Sequence, residues 1–137
     1  MIILDTNVLS AMMRPADNPA VIDWLNRQST NLLWTTVITV MEIRYGILQM
    51  AIGRRRNDVA NAFERAIWSL GGRIFDFDYA AAEDAAKLSA QCHGAGRNVG
   101  VPDTQIAGIA LSRKATLATR NVRDFRNLEI PLVDPWA

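Results

Sequence analysis

Short apolar runs alternate with longer segments of helical periodicity along the chain. Runs that are continuously apolar or that alternate with polar residues predict strands, at positions 2–4, 32–37, 73–77, 116–119 and 132–133. Apolar residues that recur every three or four positions predict helices, at positions 8–13, 19–27, 39–52, 58–70, 79–93 and 102–113. Because strands alternate with helices, the expected class is α/β with a mostly parallel sheet.

Local sequence signals predict where the helix over 39–52 begins and where it ends. Thr39 precedes Glu42 by three residues, which is the Thr-x-x-Glu capping box typical of a helix start. Glu42 is therefore expected in the first turn of the helix over 39–52. The segment Gly53–Asn57 contains a glycine and consecutive arginines, and it is expected to separate two helices as a loop.

The composition fits one folded domain. Half of the 137 residues are apolar and 21% are charged, which is an ordinary globular balance with enough apolar residues for one core. The single cysteine, Cys92, rules out an intrachain disulfide and suits a reducing cytoplasm. The formal net charge of +1 means that any nucleic-acid contact must rely on local basic residues or metal ions.

No membrane or secretion signal is expected. The start, Met1–Asp5, is apolar but lacks a basic segment, so it predicts a strand and not a signal peptide. The longest apolar runs fall short of the ~20 residues that cross a membrane.

Three carboxylates stand near points where predicted strands give way to helices. Each has a simple structural explanation: Asp5 could cap a helix, Glu42 could close the capping box, and Asp103 suits the first turn of a helix. In open α/β sheets, however, the strand-to-helix crossings meet in one crevice. Carboxylates packed together repel unless they are protonated or bridged by cations. Oxygen ligands of this kind suit Mg²⁺ or Mn²⁺.

Two further polar residues, Asn121 and Asp124, follow the strand over 116–119 and are expected at the same edge. A divalent ion there would activate water and neutralise charge on a phosphodiester. Zinc is disfavoured, because Cys92 and His93 have no partner ligands at zinc-site spacing.

Four stretches of the chain resemble the PIN-domain ribonucleases, and within them the VapC/FitB-like toxins of bacterial toxin–antitoxin pairs. The matching stretches are Ile3–Ser10, Thr36–Gly46, Asp103–Gly108 and Ala118–Phe125. The closing segment, Asp134–Trp136, is also similar to that subgroup's ending. The stretches follow the family's order over nearly the whole chain. The resemblance implies a single domain over 1–137, folded as a three-layer sandwich with a central sheet of four to five strands flanked by helices.

The resemblance also implies roles for particular residues. Asp5, Glu42 and Asp103 would be the metal-binding and catalytic acids, with Mg²⁺ or Mn²⁺ as the cofactor. The family's fourth acidic position falls on Asn121, and Asp124, one helical turn later, is the alternative. A further implied role is that of Thr119, which would orient a water held by the metal.

The implied function is that of a toxin, an endoribonuclease that cleaves structured cellular RNA, above all tRNA, in the cytoplasm. A cognate antitoxin would neutralise it, and the chain would form a homodimer, enter a larger assembly with the antitoxin and meet DNA only through the antitoxin. Arg120 and Arg123 flank the site, and Arg97 lies near Asp103 in sequence, so these three are the expected RNA contacts. An ion pair between Arg120 or Arg123 and a site carboxylate is the alternative. The run Arg54–Arg56 is expected to be a solvated loop, with an RNA-phosphate contact as the alternative.

The predicted helices over 39–52 and 58–70 carry many apolar side chains. Tyr45, Met50 and Trp68 are among the apolar residues that exceed what one core face needs, which suggests a protein partner. Trp24, Trp34 and Trp68 lie on apolar faces and are expected in the core, not as surfaces on which bases stack.

Three other functions fit parts of this sequence pattern. A catalytically weak PIN-fold module, acting mainly through an antitoxin–DNA complex, stays open because Asn121 replaces an acid. A receiver-type phosphoacceptor needs an acidic pair after the first strand, where this chain has only Asp5. A serine or cysteine hydrolase is disfavoured, because no nucleophile elbow is present and His93 lacks triad partners.

Overall fold

Five parallel strands form the middle layer of the protein, which a computed structural model describes over residues 1–137. The strands are β1 (Ile2–Leu4), β2 (Leu33–Thr36), β3 (Ile74–Phe75), β4 (Thr116–Ala118) and β5 (Leu132–Val133). Their order across the sheet is β3-β2-β1-β4-β5, and every neighbouring pair is parallel. The prediction of an α/β fold is confirmed, and the sheet is entirely parallel where a mostly parallel one was expected.

Seven α-helices connect and cover the strands. They are α1 (Thr6–Met13), α2 (Pro19–Asn26), α3 (Val37–Gln49), α4 (Arg54–Ser69), α5 (Tyr79–Gly94), α6 (Val101–Arg113) and α7 (Val122–Phe125). Two short 3₁₀ helices lie at Pro15–Asp17 and Thr30–Leu32. None of the helices combines the length and the apolar character needed to cross a bilayer.

Two hydrophobic clusters lie on opposite faces of the sheet. Ile3 belongs to the cluster that contains the buried residues of α5 and α6, whereas Leu4 belongs to the cluster built from α1 to α4. Successive side chains of a strand point to opposite faces, and both of these residues are fully buried. The continuous apolar run of β1 is thus explained by helices on both faces, which confirms the three-layer sandwich.

The start of α3 differs from the prediction. Thr36, not Thr39, is the N-cap, and its hydroxyl accepts a hydrogen bond from the backbone N–H of Thr39 at 3.2 Å. The helix therefore begins at Val37, and Glu42 lies in its second turn, too far along to close a capping box. The capping explanation for Glu42 is wrong, and its carboxylate has no backbone partner.

The bounds of three other elements, α4, α1 and β3, also differ from the prediction. The segment expected to be a loop forms the first turn of α4, which begins at Arg54 and not at Asp58, because arginine is a good helix former and nothing after Gly53 stops the helix. The helix α1 begins at Thr6, two residues earlier than expected, and the predicted strand over 73–77 shortens to Ile74–Phe75.

The tryptophans divide between core and surface. Trp34 stacks on Phe75 with ring centroids 4.0 Å apart, and Trp24 packs against the cluster of α1 to α4. Trp68 is 85% exposed, so the expectation that it lies in the core is wrong. Helical periodicity placed it near an apolar face, but α4 turns that position outward.

A pair of glycine substitutions tests the packing of the two helices on the second face. A Cβ on Gly108 of α6 would lie 2.6 Å from the carbonyl oxygen of Ala81 and 2.7 Å from the Cβ of Ala85, both on α5. Gly108→Ala is therefore expected to lower the free energy of unfolding by about 2–3 kcal/mol, because backbone must move. A Cβ on Gly46 of α3 meets nothing within 4 Å, so Gly46→Ala should raise it by about 0.5–1 kcal/mol. Urea unfolding measures both, and an unchanged midpoint for Gly108→Ala would contradict the close approach.

Candidate acidic site

The acidic residues gather at the edge of the sheet formed by the carboxyl ends of the strands. The strand β1 lies in the middle of the sheet, with β2 on one side and β4 on the other, so the chain departs in both directions and a crevice opens there. Asp5 directly follows β1, Glu42 lies on the helix after β2, and Asp103 lies in the first turn of the helix before β4. Side chains from distant parts of the chain thus meet in one place.

Asp5 is a buried carboxylate held in a fixed orientation. Its side chain is 2% exposed, one oxygen accepts from the backbone N–H of Thr6 at 2.8 Å, and the other accepts from the hydroxyl of Thr119 at 2.6 Å. Burial raises the pKa of Asp5 above its ordinary range; the two hydrogen bonds oppose this effect, and the nearby charge of Glu42 adds to it. The carboxylate keeps lone pairs free on both oxygens.

Glu42 is held by a residue that the sequence interpretation did not single out. The hydroxyl of Thr6 donates to Oε1 of Glu42 at 2.7 Å and lies 3.1 Å from the hydroxyl of Thr39. Thr6 therefore contacts Asp5 through its backbone and Glu42 through its side chain. The sequence does contain a signal that points to Thr6, because this residue lies within Ile3–Ser10, the first stretch that resembles the family.

Asp103 is a half-buried carboxylate that accepts no hydrogen bond from any protein donor. Its pKa is raised from 3.8 to about 6, first by burial and then by the negative charges of Asp5, Glu42 and Asp124. The three charge effects place Asp5, Glu42 and Asp124 within electrostatic reach of Asp103.

No cation of the protein compensates these charges. The ion pairs join Arg44 to Glu64, Lys87 to Asp84 and Arg113 to Asp78, and none of them includes an acid of the site. Cys92 is buried in the core and His93 is exposed at the end of α5, so the available ligands at the site are oxygens.

These donors fit a hard divalent cation that keeps part of its water. No three acidic, histidine or cysteine side chains converge closely enough to hold an ion by themselves. Mg²⁺ is commonly bound through one or two carboxylates and several waters, and it would relieve the repulsion that raises the pKa of Asp103. The donor set therefore suits Mg²⁺ or Mn²⁺ and not zinc.

The two candidates for the fourth acidic position differ in their surroundings. Asn121 is exposed, its backbone N–H donates to the hydroxyl of Thr119 at 3.0 Å, and its side chain has no hydrogen-bond partner. Asp124 is also exposed, but its charge contributes to the raised pKa of Asp103. Thr119 donates its only hydroxyl proton to Asp5, which gives it a role in orienting that carboxylate.

The predicted basic residues surround α7. The guanidinium of Arg120 lies over the Trp136 ring, 4.9 Å from its centroid, and Arg97 donates to the backbone carbonyl of Asp124 at 3.1 Å. Arg123 is exposed on α7 itself. Arg97 and Arg123 thus lie beside Asp124, whereas Arg120 lies beside Trp136 and Asn7.

Comparison with known proteins identifies relatives along the whole chain. The family model described as "PIN domain" matches residues 2–130. The chain is 34% identical to "VapC ribonuclease Y4jK" of Sinorhizobium fredii over 99% of this chain and 98% of that protein. It is 32% identical to "Toxin FitB" of Neisseria gonorrhoeae over 99% of each. It is 28% identical to "tRNA(fMet)-specific endonuclease VapC" of Shigella flexneri over 98% and 96%.

Solved structures agree with this relation. "FitAcB from Neisseria gonorrhoeae" superposes with a TM-score of 0.89 at 31% identity, covering 99% of each chain. "FitAB bound to IR36 DNA fragment" gives 0.89 at 32% identity, covering 100% of this chain and 96% of that one. "VapBC-5" of Mycobacterium tuberculosis, described as a member of a family of toxin–antitoxin systems, gives 0.70 at 26% identity, covering 96% and 95%.

Proposed function

Because the chain belongs to the PIN-domain family, we propose that it is a metal-dependent endoribonuclease that acts as a toxin. The observation that carries the proposal is the group of neighbouring carboxylates without a compensating cation, in which Asp103 has a pKa raised to about 6. The names of the relatives, a VapC ribonuclease and a tRNA(fMet)-specific endonuclease, support the same activity.

Asp5, Glu42 and Asp103 are the proposed ligands of the Mg²⁺ or Mn²⁺ ion, which they would hold partly through its retained waters, because the three carboxylates do not converge closely enough to bind it by themselves. The bound ion would supply an activated water and would offset charge on the phosphodiester. The protein's part is positioning: the hydroxyls of Thr119 and Thr6 hold the carboxylates of Asp5 and Glu42, so little reorganisation is needed when the ion and substrate bind.

Asp103 is the carboxylate most available to the ion, because no protein donor occupies its oxygens. For the fourth position we favour Asp124, whose charge acts on Asp103, over Asn121. The side chain of Asn121 remains free to offer its carbonyl oxygen.

The proposed substrate is an unpaired loop of a structured RNA, with tRNA first, because unstacked bases can be separated and bound there. Arg120, Arg123 and Arg97 are the proposed phosphate contacts. The proposed compartment is the cytoplasm, which suits a chain whose one cysteine is free and buried.

A cognate antitoxin is the proposed regulator. The chain would form a homodimer and a larger complex with the antitoxin, and it would meet DNA only through that partner; the solved FitAB–DNA complex supports this arrangement. Large apolar side chains on α3 and α4 remain exposed and are available for such contacts, namely Met41, Tyr45, Leu48 and Trp68.

The activity has a direct test. The purified chain, freed of any bound partner, is expected to cleave tRNA with Mg²⁺ or Mn²⁺, to stop in excess EDTA and to recover when the metal is restored. Sequencing of the new RNA ends identifies the cleaved site. A parallel preparation of Asp103→Asn controls for contaminating ribonuclease, and cleavage that persists in EDTA would contradict the proposal.

A second candidate is a catalytically weak module that acts mainly through an antitoxin–DNA complex. It is favoured by Asn121, an amide at the position where the resemblance implies an acid, and by the absence of three converging acids. Calorimetric titration of Mn²⁺ into the isolated chain separates the two, because a disabled site binds no metal.

A further inference from the structure

A cleft extends from the acidic site across the face of the sheet that α1 to α4 cover. Its volume is about 370 Å³, and it lies between α1, α3 and α4. Thr6 and Glu42, which belong to the acidic site, form part of its wall. The size falls within the ~300–1,000 Å³ typical of sites for small organic groups. A group bound in this cleft would therefore lie directly beside the reacting phosphodiester.

Two arginines line the cleft without a carboxylate partner. Arg14 follows α1 and Arg55 lies in the first turn of α4, and neither forms an ion pair. A cation in the first turn of a helix is unfavourable, because the helix macrodipole is positive there. The charge of Arg55 therefore gains nothing from the helix dipole, and it is free to contact an anion in the cleft.

The rest of the wall is largely apolar. Met13 of α1, Ile43 and Ile47 of α3 and Val59 of α4 contribute side chains, and Ser10 contributes a hydroxyl that has no hydrogen-bond partner within the protein. A cleft with apolar walls and unpaired guanidinium groups matches the two parts of a nucleotide, a base with an apolar face and a charged phosphate.

We propose that this cleft receives one unpaired nucleotide of the RNA next to the bond that is cleaved, with Arg55 and Arg14 contacting the phosphates beside it. This inference rests on the proposed nuclease function and adds to it a subsite that selects unpaired RNA. A polyanion is favoured over a protein segment, because the two arginines that line the cleft form no ion pair.

The test compares two neighbouring arginines. Arg55→Gln removes a charge that lines the cleft, whereas Arg54→Gln removes the same charge from an exposed position in the same helical turn that does not line it. Loss of one charged hydrogen bond is expected to raise the KM for RNA cleavage about tenfold in Arg55→Gln, with kcat little changed. Arg54→Gln should behave like the unmodified chain.

Binding is measured separately from cleavage. The anisotropy of a fluorescein-labelled single-stranded RNA in EDTA reports affinity without turnover. Arg55→Gln should weaken binding about tenfold, and the slope of log affinity against log salt should fall by about 0.7 relative to Arg54→Gln. Equal affinities in the two variants would overturn the proposal. This readout still tests the cleft if the chain proves to have no nuclease activity, so the two failures are distinguishable.

A steric variant gives an independent result. Gly46 lines the cleft, and a side chain there meets no protein atom within 4 Å of its Cβ, so Gly46→Leu should block the cleft and weaken RNA binding. Gln49→Leu places the same side chain on the exposed surface of α3 outside the cleft and should not. If Gly46→Leu instead keeps full RNA affinity and loses binding to the proposed cognate antitoxin, the occupant is a protein and the proposal is wrong.

Discussion

Replacement of Asp103 with asparagine is expected to abolish RNA cleavage and, in the absence of metal, to make the folded protein more stable at neutral pH. Asp103 is half-buried, accepts no hydrogen bond from the protein and lies among other negative charges. Asparagine has nearly the same shape, and it removes the charge that is unfavourable without a cation. The same change removes a proposed metal ligand, so stability and activity should move in opposite directions.

The direction of the pH dependence follows from the pKa of Asp103, which is about 6 in the folded protein against an ordinary value of 3.8. Between these values the folded state binds more protons than the unfolded state. Stability contributed by this group is therefore present below pH 3.8, falls as the pH rises through the window and is absent above about pH 6. A shift of about two pKa units at ~1.4 kcal/mol each gives an upper limit near 3 kcal/mol, and solvent screening reduces the expected gain for Asp103→Asn to about 1–2 kcal/mol.

Urea unfolding in EDTA at several pH values measures this effect. The unmodified chain should lose stability between pH 3.8 and about 6 more steeply than Asp103→Asn. Asp76→Asn is the matched control, because Asp76 is exposed and forms no ion pair. Addition of Mn²⁺ should then stabilise the unmodified chain and not Asp103→Asn. Identical pH profiles for the two proteins would contradict the placement of Asp103 among the other acids.

Sequence patterns predict the place of a residue well where that place follows from the order of the strands and helices. Asp5 and Asp103 lie at strand-to-helix crossings, and a parallel sheet brings such crossings to one edge wherever the exact helix boundaries fall. The fold class followed for the same reason, because alternating strands and helices leave few arrangements. Errors of two to four residues at the ends of α1 and α4 did not disturb either conclusion.

What the sequence could not resolve depends on contacts between distant residues. Thr36 and Thr39 are both plausible caps by local rules, and only the end of β2 decides between them. Thr6 holds Glu42 across 36 positions of the chain, a hydrogen bond that no local pattern predicts. The choice between Asn121 and Asp124 likewise depends on where α7 packs.

Thr119→Val is expected to impair both folding and catalysis through Asp5, although Thr119 itself contacts no substrate in the proposed mechanism. Thr119 is fully buried, its hydroxyl donates to Oδ2 of Asp5 at 2.6 Å, and it accepts from the backbone N–H of Asn121 at 3.0 Å. Valine keeps the shape and removes both bonds, which leaves a buried carboxylate oxygen without its donor. Because charged groups are the costliest to leave unpaired, a loss of about 3 kcal/mol in the free energy of unfolding is expected.

Catalysis should fall about a hundredfold in kcat, because Asp5 loses the contact that fixes its orientation, while the KM for RNA stays close to that of the unmodified chain. Thr119→Ser restores the hydroxyl and should recover most of the rate. A role confined to stability predicts instead that the folded fraction of Thr119→Val is fully active, so rates are normalised to the folded fraction measured by circular dichroism. The hydrogen bond from Thr119 also lowers the pKa of Asp5, so its loss should raise that pKa further. In the valine variant, Mn²⁺ binding should therefore require a higher pH than in the serine variant, since protons then compete more strongly for the carboxylate.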